Sequence, residues 1–273
     1  MEGTYVSQTV ALVSRELKHW YRSKTQILTV IIQPMIWLLL FGSAMTGYIG
    51  SVSNQDTIPG GYFTFLALGM VIITVLFSSM NAGMTLIWDR RFGFLDKIRA
   101  APIPRGAIPL SKVIAATIKA TIQAVLVLTV ALIYHPSMVD GLTAVTVIVS
   151  VLTILLCAAC TALTVSSVFV AMGLVIRNQE VLLGVTVLLN LPLMFASGAM
   201  FPTSTFPWWL KLVANGNPLT YATDAIRQAW GLPNNLISMP DIALQYNIMI
   251  VVIIAFLVTL GGVFFARRAL RGD

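Results

Sequence analysis

Six long runs of apolar residues separated by short polar joints dominate this chain, at roughly 27 to 48, 61 to 87, 113 to 134, 142 to 176, 181 to 200 and 246 to 266. A helix needs about 20 apolar residues to cross the roughly 30 Å hydrocarbon layer, so each run predicts a transmembrane helix. The fold class that follows is an all-α integral membrane protein with six spans. As a continuous helix the fourth run would be about 50 Å long at about 1.5 Å per residue, so it must tilt, break or protrude. The second run is also long, and its last turns near Trp88 are expected to project from the membrane and carry the next polar segment away from lipid. Gly42-Ser43-Ala44 in the first run resembles a signal-peptide cleavage site. The charged segment before that run is too long for such a leader and five spans follow, so a retained span is expected.

Two segments outside the runs have patterns of their own. From Val10 to Gln26, helical spacing puts Val10, Val13, Leu17 and Trp20 or Tyr21 on one face and Arg15, Glu16, Lys18 and Arg22 largely on the other. This predicts an amphipathic helix lying at the membrane interface, with Trp20 and Tyr21 at headgroup level. Between the fifth and sixth runs, residues 202–241 carry Trp208, Trp209, Trp230 and several prolines. Phe206 to Ala214 reads as a short interfacial helix and Asn217-Pro218 as a turn; Leu219 to Trp230 reads as a second short helix with Asp224 and Arg227 at i, i+3. Irregular backbone is tolerated near the membrane only where protein or water covers it, so 202–241 is expected to form a re-entrant outer segment.

Composition supports this division. Hydrophobic residues make up 58% of the 273 and charged residues 10%, well below the roughly 25% charged of soluble domains, and mean hydropathy is +0.88. A net charge of +7 would suggest nucleic acid in a soluble protein. Here the cations sit at the ends of apolar runs, as cytoplasmic loops require, and no nucleic-acid partner is expected. With the N-terminus inside, fifteen of the seventeen cations lie inside: Arg15, Lys18, Arg22, Lys24, Arg90, Arg91, Lys97, Arg99, Arg105, Lys112, Lys119, Arg177, Arg267, Arg268 and Arg271. Only Lys211 and Arg227 are left outside, which places both termini in the cytoplasm. The chain reads as one transmembrane domain, 1–273, with an amphipathic segment 1–26, a membrane region 27–266 and a basic tail 267–273. Its expected location is the cell (plasma or inner) membrane, as a multi-pass protein in contact with membrane lipids.

Candidate chemistry is sparse. No GxxxxGK[ST] phosphate loop, HExxH or GxSxG motif is present, so the chain is not expected to hydrolyse a nucleotide alone, and no catalytic residue is nominated. Cys157 and Cys160 form a CxxC in an apolar run with no nearby His, which reads as small residues at helical spacing rather than as a zinc site or a disulfide. His19 and His135 fall far apart in this topology, which leaves no shared metal site. Charge inside the spans marks ion-coupled transporters, and here it is nearly missing. Lys119, one or two turns into the third span, is expected to snorkel to the cytoplasmic face, and Glu180 sits in the short inner turn beside Arg177. Both positions argue against a proton or sodium relay. The second and fifth spans offer soft apolar surface with isolated polar points: Phe77, Asn81 and Met84 on one, Asn190, Met194 and Phe195 on the other. Such a lining suits a greasy or amphipathic ligand.

The densest charge lies in a polar island from Trp88 to Lys112, WDRRFGFLDKIRAAPIPRGAIPLSK, where Phe92, Phe94, Leu95 and Ile98 are spaced among Arg90, Arg91, Lys97 and Arg99. A solvated loop has no need of those aromatics, whereas apolar anchors framed by charge suit a protein contact. The same cations also set topology and can touch phospholipid headgroups.

With the basic amphipathic segment and the sequence SGAMFPTSTFPWWLKLVANGNPLTYATDAIR, the island makes nearly the whole chain resemble the membrane subunits of type-2 ABC exporters, the permeases for drugs, lipids and polysaccharides. In that family the island reads as acidic and basic residues, a Gly, an apolar residue two on, then a Pro, an Arg and a later Lys. Asp89, Arg90, Gly93, Leu95, Pro102, Arg105 and Lys112 fill that pattern. Gly198, Pro202, Asn217, Pro218, Tyr221 and Arg227 fit the family's outer motif, with Asp224 where Glu is expected. The resemblance implies a coupling helix, about 88–101, that inserts into a groove on a separate ATP-binding subunit through Arg90, Arg91, Phe92, Gly93, Phe94, Leu95, Ile98 and Arg99. It also implies two such subunits carrying ATP and Mg, paired with two copies of this chain or with one copy and a related permease. The chain itself would bind no cofactor and would export a hydrophobic or amphipathic substrate, drug- or lipid-like, by alternating access. The rival readings are a secondary transporter or channel, opposed by the scarcity of intramembrane charge, and a membrane-embedded enzyme, opposed by the lack of a polar catalytic cluster.

Overall fold

Each of the six apolar runs is a helix. The computed structural model describes residues 5–52, 61–94, 104, 106–176, 178–233, 236–239 and 242–272. Leu95, Lys97, Ile98, Arg99, Pro102, Arg105 and Arg177, and with them the second half of the expected coupling helix, lie outside the described residues. In chain order the helices are α1 (Tyr5–Arg22), α2 (Lys24–Val52), α3 (Gly61–Arg91), α4 (Ala107–Tyr134), α5 (Ala144–Val175), α6 (Gln179–Ala196), α7 (Trp208–Gly216), α8 (Pro218–Trp230) and α9 (Leu244–Gly272). Six of them, α2 to α6 and α9, are long and apolar enough to cross a membrane, and no strand occurs among the described residues. Short joints make consecutive spans antiparallel. One end of the bundle therefore gathers α1, the island and the α5–α6 turn, and is called here the charged end; the opposite, tryptophan end carries α7 and α8.

Helix boundaries follow local chemistry. The Thr143 hydroxyl caps α5 by accepting the Thr146 N–H at 3.2 Å, and the Asn178 side chain caps α6 by accepting the Glu180 N–H at 2.8 Å. The helix α6 stops at Ala196, short of the expected residue 200, because the chain turns through Gly198 at φ 70°, a conformation that favours glycine. The fourth span is unbroken over 32 residues. Of the options left by its length, breaking is thus excluded; its final turn stands beside the end of α3, where Arg90 Nη2 donates to the Leu174 carbonyl at 3.0 Å.

The second span is the axis of the bundle. Within its membrane window α3 is 89% buried, against 19% for α2, 17% for α6 and 11% for α9. Hydrocarbon gives helices no hydrophobic drive to associate, so close van der Waals packing must hold them. Small residues allow it: a Cβ on Gly83 would lie 2.3 Å from the Phe169 carbonyl oxygen, and one on Gly69 would lie 2.1 Å from that of Ala199. Phe65, Leu68 and Leu76 of α3 share one core with Val127 of α4, Cys157 of α5 and Ile226 of α8, and both cysteines are buried free thiols.

One expected face is corrected. Val13 and Trp20 of α1 are buried, together with Thr9, against the bundle, while Val10 and Tyr21 are exposed. Thr9, Val13, Glu16 and Trp20 form one helical stripe, so α1 docks on α4 through a face that includes an acid, and Val10 and Tyr21 are left off that face.

Replacing Gly83 with Val should push α3 and α5 apart and cost at least about 2 kcal/mol, seen as a lower thermal midpoint in detergent. Gly184→Val, where a Cβ meets nothing within 4 Å, should leave that midpoint unchanged.

Candidate functional site

At the charged end, five ionisable side chains converge from three helices. Lys112 of α4 donates to Glu16 Oε1 of α1 at 2.8 Å and also to Asp89 Oδ2 of α3. Lys119 Nζ lies 3.8 Å from Glu16 Oε2, while Arg15 Nη1 meets Glu16 Oε1 at 3.1 Å and Arg15 Nη2 lies 3.8 Å from Asp89 Oδ1. The Lys112 side chain is only 5% exposed. Breaking a buried pair by removing one member costs about 3–5 kcal/mol, because the other is stranded. These contacts therefore fasten α1, the end of α3 and the start of α4 to one another. Lys119 does not snorkel as expected; it turns inward to Glu16 beside a small polar recess lined by Ser78, Asn81 and Gln123. Burial alone would raise the Glu16 carboxyl pKa, but Lys112, Lys119 and Arg15 outweigh it and hold the group below the ordinary glutamate value.

The island leaves this cluster through a tight turn. Gly93 adopts φ 67°, and its N–H donates to the Arg90 carbonyl at 3.0 Å. The turn presents Phe92, 79% exposed, away from the bundle. Phe94 faces the other way: the Arg15 guanidinium lies 3.4 Å from its ring centroid, and it packs against the cluster of Leu86, Ile108 and Val170. Arg90 is held by Leu174, and Arg91 Nη1 reaches Gln179 Oε1 at 3.4 Å. Of the described island residues, then, Phe92 is presented outward, while Phe94 and Arg90 bind the island to its own spans.

The tryptophan end is built around a buried arginine. Arg227 is fully buried; Nη1 donates to the Gly198 carbonyl at 2.8 Å, and Nη2 donates to Ala199 at 2.8 Å and to Phe65 at 3.1 Å. Its guanidinium also stacks 3.6 Å from the Phe65 ring centroid. Asp224 does not close on Arg227 as the i, i+3 spacing suggests but accepts the N–H groups of Ser238 and Met239, each at 2.9 Å. Asn217 caps α8 by accepting the Leu219 N–H at 3.0 Å and also donates to the Leu193 carbonyl at 2.9 Å, with Pro218 opening the helix. Tyr221 donates to the Asn215 carbonyl at 2.8 Å, and Pro202 precedes a short 3-10 turn. Each described polar side chain of the outer motif is thus spent on backbone groups, most of them outside regular helix pairing.

The expected substrate-path residues are divided. Met84 and Met194 are buried in the packed bundle, Phe77 and Asn190 are half-buried, and Asn81 and Phe195 are exposed. Met84 packs with Ile87 and Leu182, joining α3 to α6, and Asn81 donates to its own helix at the Phe77 carbonyl, 2.9 Å.

The ABC-2 type transporter family matches residues 7–230, from α1 through the last residue of α8. This chain belongs to the ABC-2 type transporter family. It is 31% identical over 237 residues to the putative transport permease ycf38 of Pyropia yezoensis, covering 84% of this chain and 76% of that one. It is 23% identical over 226 residues to the daunorubicin resistance ABC transporter permease protein DrrB1 of Streptomyces coeruleorubidus, covering 83% and 76%. It is 22% identical over 223 residues to the probable doxorubicin resistance ABC transporter permease protein DrrC of Mycobacterium tuberculosis (strain ATCC 25618 / H37Rv), covering 82% and 76%. As an ABC-2 permease the chain is a multi-pass membrane protein.

In this ABC-2 permease, Glu16 is the site residue that sequence reasoning missed. Its signal was a lone acid on the same helical stripe as Val13 and Trp20, facing two lysines far along the chain.

Arg227→Ala strands the Gly198 and Ala199 carbonyls, which lie outside any helix, and should destabilise the protein by about 3 kcal/mol or more. Arg227→Lys, with a compact head in place of a planar fork, should restore only part of the loss in a detergent melting assay. Because Glu16 has a lowered folded pKa, its contribution is present above the ordinary carboxylate range and is lost as pH falls through that lowered value. Acidification from about pH 7 to pH 3 should therefore expose α1 to protease in the native chain, and Glu16→Gln should leave α1 exposed across that whole range.

Proposed function

We propose that this chain is the permease subunit of an ATP-driven exporter, moving hydrophobic or amphipathic molecules of drug- or lipid-like character, with a separate ATP-binding ABC subunit docked on its charged end. The observation that carries this reading is the island itself, which presents exposed Phe92 beyond a central helix whose end is fastened to two neighbours. An apolar side chain offered outside the membrane on a charged rim is a docking feature. The charged end faces the cytoplasm, as the distribution of cations requires. ATP and Mg belong to the partner, of which two copies serve two copies of this chain or one copy and a related permease.

In this mechanism, closure of the partner subunits presses on the island. Since Asp89, Lys112 and Glu16 join α3, α4 and α1, a push on the island moves these helices together instead of bending a loop. Packed interfaces are bistable, not continuously deformable, so the movement ends in a second packing that opens the opposite side. The names of the daunorubicin resistance and probable doxorubicin resistance permeases support amphipathic drugs as a substrate class.

Phe92→Asp should lower ATP-driven transport in reconstituted vesicles at least about tenfold, with the permease still folded and its stability within about 1 kcal/mol of wild type, as for a surface change. Pull-down of the wild-type chain should bring an ATP-binding subunit in stoichiometric amount. Transport that proceeds without any such subunit, driven by an ion gradient, would overturn the proposal in favour of a secondary transporter.

A further inference from the structure

An apolar groove between α5 and α9 lies outside every contact described so far. Its walls are Val168, Met172 and Val175 of α5 and Val258, Gly261 and Phe265 of α9, enclosing about 440 Å³. Two adjacent glycines make it. A Cβ on Gly262 would come within 3.1 Å of Ser167, so α9 touches α5 there, whereas a Cβ on Gly261 would meet nothing within 4 Å. The helices are therefore pinned together at one glycine and leave a slot at the other. Val175 and Phe265 are both more than half exposed, so the slot opens sideways to lipid.

The groove ends under positive charge. Val258, Gly261, Phe265 and Arg268 follow i, i+3, i+7, i+10 spacing on the continuous helix α9, which puts them on one face. Arg268 is exposed and lies one helical turn, about 5 Å, beyond Phe265, in a tail that also carries Arg267 and Arg271. An apolar slot capped by a cation at the membrane surface matches the two halves of an anionic lipid. A second copy of the chain fits less well, because a helix about 10 Å across does not enter a slot bounded by one glycine's missing side chain.

We propose that the α5–α9 groove binds a single anionic phospholipid, with an acyl chain against Gly261 and the phosphate at Arg268. The Gly261 slot selects for a chain, and the arginine selects for the charge. This site stands whether or not the ATP-driven reading holds, since it involves neither the island nor the partner subunit.

Native mass spectrometry of the purified full-length chain, with phosphatidylglycerol or phosphatidylcholine of equal chain length added, tests it. Wild type should retain one phosphatidylglycerol in preference to phosphatidylcholine. Gly261→Phe should fill the slot and lower that adduct about tenfold, a difference of about 1.4 kcal/mol. Arg268→Gln should bring phosphatidylglycerol retention down to the phosphatidylcholine level. Gly184→Phe, on the exposed face of α6 where a Cβ also has open space, should retain the adduct and so ties the loss to the groove. Equal retention of both lipids by wild type, or an undiminished adduct in Gly261→Phe, would overturn the proposal. So would a dimer of wild type that Gly261→Phe dissociates, since the groove would then seat a second copy.

Discussion

The Lys112 ammonium, almost buried between Glu16 and Asp89, is the interaction on which the charged end depends. Two carboxylates from different helices cannot approach one another closely without a cation between them, and a lysine withdrawn this far from water needs them in return. The consequence is mechanical. Residues 5–22, the end of the most buried span and the start of the next become one body, from which the described start of the island, Phe92 to Phe94, leaves. Phe94 adds to this by packing under Arg15, whereas Phe92, two residues earlier, faces outward.

A second internal satisfaction organises the opposite end. There the chain enters the membrane region as irregular backbone, and the carbonyls of Gly198 and Ala199 have neither helix nor strand to pair with. Arg227 supplies their donors from α8 and reaches Phe65 on α3 as well. Both ends of α3 are therefore held by a buried cation, one serving carboxylates and the other serving carbonyls. Between them, Gly69 and Gly83 let neighbouring backbone approach the helix closely. A helix clamped at both ends and enclosed along its length is suited to transmit displacement with little loss to local bending.

The spans were legible because transmembrane helices announce themselves by length and hydropathy, and α3 projects past Trp88 as its long apolar run required. The outer pair of short helices was legible from Asn217-Pro218 and the tryptophans. What the sequence hid was side-chain direction. Lys119 looks free to snorkel in the sequence because its partner, Glu16, lies about a hundred residues away on a helix whose buried face is not its most apolar one. Asp224 and Arg227 looked like a local ion pair because i, i+3 spacing permits one. The structure instead uses each for a distant backbone partner, since unpaired amides and carbonyls near lipid are more demanding than a surface ion pair. Phe92 and Phe94 are two residues apart and chemically identical, and only the left-handed turn at Gly93 separates an outward residue from an inward one.

The central claim is that the charged end, through the island, is where an ATP-binding partner engages this permease. Site-directed cross-linking tests it most directly, and the native cysteines Cys157 and Cys160 are buried and would stay silent. A cysteine introduced as Phe92→Cys should cross-link to the ATP-binding subunit in membranes, while one introduced as Trp208→Cys, at the tryptophan end, should not. Cross-linking of that subunit from position 208, or its absence from position 92 in a complex that still transports, would contradict the account.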